Sequence, residues 1–261
     1  MYSEEHKLFI KKIKTKNIFI RVMQITIILL FIIIWQLLAD YKIINTFITS
    51  SPKKVIETII KLHSDGLYHH IFVTVYETII SFGIGTLLGI IIAAILWWNK
   101  TLNRIIDPYL TVINSLPKVA LGPIIIIWCG AGIKSIILMA LLISVIITII
   151  NVSASFNEVD SNKIKLMKSF KATKAQTFFK LVFPDSFNSI ISALKVNISM
   201  SLIGVIMGEF LVSKEGLGYL IMYGSQVFNL NLVISGIIIL MIVSYLMYLI
   251  VNYIEKLLIK N

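Results

Sequence analysis

The residues of this 261-residue chain whose types suit chemistry are four histidines, one cysteine, a short glycine–lysine turn and a few ionisable groups set in apolar runs. Their spacing excludes most chemistry. His69 and His70 are adjacent, His6 and His63 stand alone, and no Cys/His cluster has metal-ligand spacing. Cys129 is single, which excludes an internal disulfide and leaves the redox compartment unread. The nearest approach to a phosphate loop is "GAGIKS", Gly130 to Ser135, too short for G-x-x-x-x-G-K-[ST]. No Ser/His/Asp arrangement or paired carboxylate stands at a catalytic position. What remains is Glu77, Lys118, Lys195 and Glu209, whose meaning depends on the elements that hold them.

Those elements are apolar. With 57% hydrophobic residues, 14% charged and a mean hydropathy of +0.91, the chain has more apolar material than a soluble core of this length can bury, so lipid is the expected solvent. A net charge of +11 would suggest nucleic acid in a soluble protein. Here the lysines lie between apolar runs, where the positive-inside rule accounts for them, and no nucleic-acid partner is expected. The first apolar run superficially resembles a signal peptide, but it is too long and no small-x-small cleavage site follows; an uncleaved spanning helix is predicted.

Crossing a bilayer takes about 20 apolar residues per helix. Six segments qualify: Ile18 to Leu38, Phe72 to Trp98, Tyr109 to Cys129, Ser135 to Ser155, Ser189 to Leu211 and Leu232 to Tyr253. Runs such as "ILMALLISVIITII" are apolar on every face, which excludes alternating barrel strands. The predicted fold class is all-α, a polytopic membrane protein with about six transmembrane helices. Counting Lys and Arg in the connections gives sixteen on the side of the N-terminus and six on the other, so both termini are expected in the cytoplasm. The expected division is a cytoplasmic N-terminal segment, residues 1–17, and a transmembrane domain, 18–261.

Ser51 and Pro52 begin a short outer helix with Val55, Ile59 and Leu62 on one face, suited to lying at the membrane surface. Gly85, Gly89 and Ala93 cut a groove in the second span, for packing within one subunit or between two. Pro117 and Pro123 predict a kink in the third span, either structural or lining a path. Lys118 either faces that path and attracts an anion, or snorkels or pairs internally. Lys195 is expected to snorkel, and Glu77 to be partly solvated near the outer surface.

One long basic segment, Lys163 to Phe187, interrupts the hydrocarbon. Asp160 can cap a first helix running to about Phe170, and "TKAQ", Thr173 to Gln176, matches a capping box for a second. Phe178, Leu181 and Val182 share a face of that second helix, and Pro184 is predicted to end it by barring Phe183 from helical geometry. Six lysines favour the cytoplasmic side and anionic headgroups, while Ile164, Met167 and Phe170 form an apolar stripe. Membrane-surface lying and partner docking both account for the pattern.

This segment resembles the cytoplasmic "EAA" loop of the inner-membrane permease subunits of binding-protein-dependent ABC transporters. The likeness extends over nearly the whole chain beyond the N-terminus: "SPKKVIETIIKL" resembles the family's outer helix, "IIDPYLTVINSLPKVALGPIIIIWCGAG" its third span, and "GVIMGEFLVSKEGLGYLI" its fifth span with the Gly-Leu-Gly loop. The nitrate, sulfonate and taurine branch, which includes importers of thiamine precursors, is the most similar.

The resemblance implies a MetI-like architecture, no catalysis, and no directly bound cofactor, ATP being used by a partner ATPase in two copies. It implies a second permease subunit, an identical one being expected, and an extracytoplasmic substrate-binding protein. Within the coupling loop, 155–187, Ile164, Lys165, Met167, Lys168, Phe170, Lys171, Ala172 and Thr173 are the implied ATPase contacts. Pro117 and Lys118 are the pathway candidates read from the residues themselves, while the resemblance implies a structural or gating position for Glu209 and places Gly216 and Gly218 in the outer loop. The chain departs from the pattern in four places. The family's Glu-Ala-Ala falls on Lys165, Leu166 and Met167, and its turn glycine on Lys171. Asp185 and Ser186 follow Pro184 in place of small apolar residues, and Glu77 stands where Arg is common. Ion-coupled transporters and membrane enzymes fit less well, since neither acidic or histidine relays nor paired broken helices appear.

Overall fold

A computed structural model describes the backbone of residues 4–259 and the side chains of residues 11–259. In chain order, α1 (Glu4–Asp40) leads through the single turn α2 (Thr46–Thr49) to α3 (Pro52–Ser64) and α4 (Leu67–Trp98). Then come α5 (Lys100–Ser115), α6 (Gly122–Cys129), α7 (Ile133–Asn157) and α8 (Ser161–Ser169). The chain ends with α9 (Lys174–Thr177), α10 (Phe183–Val212), α11 (Leu217–Gln226) and α12 (Leu230–Leu258). No strand occurs among the described residues. Among the described residues, five helical stretches are long and apolar enough to cross a membrane, and α5 with α6 make a sixth only as a broken pair.

The core of the bundle is α7 wedged between α4 and α10, and small residues set the distances. Gly85 faces Ser144 and Gly89 faces Thr148 with no room for a side chain, so the groove on the second span serves packing within the subunit. Gly204 lies over the Ala140 backbone and Gly208 over Ile136 in the same way. Towards the α8 end, Val152, Phe156, Phe178 and Val182 close the core; towards the other end, Leu67, Leu217, Leu220 and Ile239 do so. By contrast, the apolar stretch of α1 buries nothing, and α1 meets α3 where the Lys53 amide donates to Gln36 Oε1 at 3.1 Å. Side chains such as Ile27, Leu29 and Phe31 are left for a lipid environment.

Local signals hold well. Ser51 caps α3 by accepting from the Lys54 amide at 3.4 Å, with Pro52 in the first turn, where its missing N–H costs nothing. Val55 is buried and Ile59 and Leu62 pack on the core, so this face of α3 covers protein.

The kink expected in the third span is present at Pro117 as a full break, but its Tyr109 start and the part given to Pro123 need correction: helix begins at Lys100, capped by Asn99, and the chain bends by 89° after Ser115. Leu116 is extended, as the clash with the ring of Pro117 demands, whereas Pro123 sits harmlessly in the first turn of α6. Nor does Pro184 end the helix before it. Phe183 is helical (φ −62°, ψ −48°), and α9 runs through a π turn, Phe178–Val182, directly into α10. In a plain α-helix the ring of Pro184 would meet the carbonyl of Lys180; the wider π turn moves that carbonyl aside.

Candidate functional site

Polar side chains concentrate at the two ends of the bundle. At one end, α8 and the start of α9 form a bracket. Asp160 Oδ1 accepts from the Asn162 amide at 2.8 Å and starts α8. The helix closes on paired bonds, Lys171 N–H to Lys168 O at 2.9 Å and Ala172 N–H to Met167 O at 3.0 Å, a Schellman turn with Lys171 in the left-handed region at φ 56°. Two residues on, Thr173 Oγ1 accepts from the Gln176 amide at 3.2 Å while Gln176 Oε1 accepts from the Thr173 amide at 2.8 Å, the capping box the sequence predicts. Nothing slack separates α8 from α10.

The turn needs a glycine conformation and holds a lysine, which costs about 1 kcal/mol. Lys171→Gly is therefore expected to stabilise the bracket by about that amount. Slower amide exchange across residues 163–172 is the check; unchanged exchange would mean the turn is unstrained.

The bracket is tied to the bundle at several points. Lys163 pairs with Asp185 at 2.6 Å, which holds the exposed Lys163 ammonium above its ordinary value. Ser186 Oγ donates to the Ser155 carbonyl at 2.9 Å, and Lys174 Nζ donates to the Trp98 carbonyl. Asp185 and Ser186, departures from the family pattern, thus pin α10 to α8 and α7. Facing is where the apolar stripe is corrected. Ile164 turns inward onto the cluster of Phe156, Phe178 and Val182, and Met167 is half-buried. The outward apolar groups are Leu166, 56% exposed, and Phe170, 74% exposed, ringed by Lys163, Lys165 and Lys168. Leu166 was not among the expected contacts; its i, i+4 spacing from Phe170 was the available signal.

At the other end, Glu209 of α10 sits beneath the start of α11. It is buried, at 1% exposure. Its Oε1 accepts from the Thr74 hydroxyl at 2.6 Å and its Oε2 from the Gly218 amide at 2.5 Å. Thr74 in turn accepts from the Leu217 amide at 2.8 Å, and His70 Nδ1 from the Gly216 amide at 3.0 Å. These acceptors satisfy amides that a helix N-terminus leaves unpaired and set a carboxylate at its positive end. Both glycines are required here: Gly216 has φ 99°, and a Cβ on Gly218 would stand 2.7 Å from Glu209 Oε2. Glu77, expected to be partly solvated, is instead 2% exposed and meets the Glu209 carboxyl. Its neighbours on α10 and α11, distant in sequence, exclude solvent there.

Residues 85–260, two thirds of the chain, match the model of the binding-protein-dependent transport system inner membrane component. The chain belongs to this family. It is a multi-pass inner-membrane permease subunit of an ABC importer, non-catalytic, served by a separate ATPase and a substrate-binding protein. The permease is 27% identical over 191 residues to the formylaminopyrimidine transport permease of Halalkalibacterium halodurans, covering 73% of this chain and 76% of that one. It is 26% identical over 230 residues to the putative aliphatic sulfonates transport permease of Bacillus subtilis, covering 88% and 83%. Its fold is similar to that of a chain of the inward-facing MetNI methionine ABC transporter, with TM-score 0.65 and 18% identity over 73% of this permease and 94% of that chain.

The two lysines within apolar runs, Lys118 and Lys195, each have a partner. Lys118 Nζ donates to Asn114 O at 2.7 Å and Asn114 Oδ1 at 3.3 Å, closing the end of α5 beside Pro117. Lys195 forms an ion pair with Glu255 in the last turn of α12, which also accepts from Ser192 Oγ at 3.1 Å. No group of three or more metal-ligating side chains occurs among the described residues.

Proposed function

We propose that this permease pairs with a second, identical copy to form the pathway for a small polar or anionic solute, and that α8 couples each copy to an ATPase subunit. The observation that carries this reading is the bracket: a capped helix with two exposed apolar side chains in a lysine ring, joined rigidly to the bundle. Ile164 to Thr173 form the coupling unit, Leu166 and Phe170 its outward anchors. Because the Schellman turn and capping box leave no slack, rotation of α8 by closing ATPase subunits turns α10 as a rigid body, the usual way transporters alternate access. The permease binds no cofactor itself; ATP acts through the partner.

In this reading residues 1–17, both termini and the bracket are cytoplasmic, while the loop of Gly216 and Gly218 faces the binding protein. Pro117 and Lys118 stand at the break of the α5–α6 pair, the irregular backbone suited to line the pathway, and Glu209 holds the outer end closed. In a Cys129→Ser background, Lys214→Cys is expected to react with an impermeant maleimide on intact cells, and Ser169→Cys after permeabilisation alone. The reverse pattern overturns this orientation.

A sulfonate, taurine or nitrate type of cargo is favoured by the sulfonate relative's long coverage. A thiamine pyrimidine precursor is the second reading, favoured by the formylaminopyrimidine relative. Thermal-shift screening of the cognate binding protein separates them: stabilisation by an aliphatic sulfonate, taurine or nitrate supports the first, by a formylaminopyrimidine the second.

A further inference from the structure

Glu77 lies one turn along α4 from Thr74, whose hydroxyl donates to Glu209 at 2.6 Å, so two buried carboxyl groups face each other with no Lys or Arg side chain bonded to either. The charged and titratable groups nearby lie on α4, α7, α11 and the α10–α11 connection. On α4, His69 pairs with Glu215 at the surface at 3.1 Å. His70 uses Nδ1 to accept from Gly216, so its ring is neutral and stacks on Tyr219 of α11. Lys134 on α7 is exposed. Lys214 and Glu215 in the α10–α11 connection, with Tyr76 and Glu77 of α4, line a crevice of about 570 Å³ leading to the surface. From α11 come amides, that of Gly218 among them, which bond to Glu209.

The hydrogen-bond inventory decides what fills the contact. Both oxygens of Glu209 already accept, one from Thr74 and one from Gly218, so Glu209 is the carboxylate. Glu77 has no protein donor at its Oε2, which is buried without a hydrogen-bond partner. Two buried like charges in contact cannot both be ionised. We propose that a single proton, carried by Glu77 and donated to Glu209, closes the clasp joining α4, α10 and α11, and that withdrawing this proton opens it. The proton leaves through the crevice to solvent base, and what stays behind is a pair of repelling carboxylates under the α11 terminus. The closed form binds one proton more than the open form, so closure weakens as pH rises, by about tenfold per pH unit over the titrating range.

The test uses the purified permease in lipid nanodiscs. At neutral pH, the infrared difference between wild type and Glu77→Gln is expected to show the carbonyl stretch of a protonated carboxyl, shifted in D2O. On raising the pH, wild type should lose thermal stability in step with that band. Glu77→Gln, whose amide donates to Glu209 at every pH, should hold steady, and Glu215→Gln should follow wild type. His70 is already neutral on this side and does not contribute. If Glu77→Gln does not fold, the wild-type band and its titration decide alone. Absence of the carboxylic acid band, or a Glu77→Gln variant as sensitive to alkali as wild type, overturns the proposal.

Discussion

Leu166→Asp with Phe170→Asp is expected to abolish co-purification of the ATPase subunit while leaving the permease folded. Both side chains face outward and touch no core cluster, so removing them costs the bundle little. At an interface they are the apolar anchors, and each buried anchor is worth about 2 kcal/mol or more. Losing two weakens association on the order of a thousandfold, before the cost of burying two new carboxylates. Ile164→Asp should behave differently, because Ile164 packs on Phe156 and Phe178 and a charge there unfolds the bracket. A pull-down with melting curves separates the two effects. Undiminished ATPase binding by the double variant would remove α8 as the docking element.

Gly204→Val is expected to destabilise the permease by about 3 kcal/mol, the upper range for overpacking a core. A Cβ at this position would stand 2.5 Å from the Ala140 Cα and 3.1 Å from its Cβ, and neither atom can swing aside. Helices α7 and α10 must then part along their whole contact. Gly83→Val is the matched control: nothing lies within 4 Å of a Cβ there, and helix propensity slightly favours the change. Thermal unfolding in detergent should show a large loss for the first and none for the second. Equal stability would mean that the close approach of α7 and α10 does not set the packing.

Much of this permease is written locally. The spans are legible because bilayer thickness demands about 20 apolar residues, and no other solvent tolerates "ILMALLISVIITII" on every face. Caps are legible for a different reason: Ser51, Asp160 and Thr173 bond to amides two or three residues away, so type and spacing suffice. The left-handed turn at Lys171 follows from its position after α8, whatever residue occupies it.

The tertiary structure alone decided which way side chains point and which charges meet. A helix apolar all round has no periodicity from which to read its inner face, so the groove of Gly85 and Gly89 stayed ambiguous until α7 was seen filling it. In α8 the inward residue proved to be Ile164 and the outward ones Leu166 and Phe170, because the tilt of the bracket comes from Asp185, Ser186 and the π turn before Pro184. Glu77 meets Glu209, and Lys195 meets Glu255, across separations of 60 residues or more. Rotation of each helix about its own axis fixes such contacts, and that rotation is set by packing against neighbours, which no window of sequence contains.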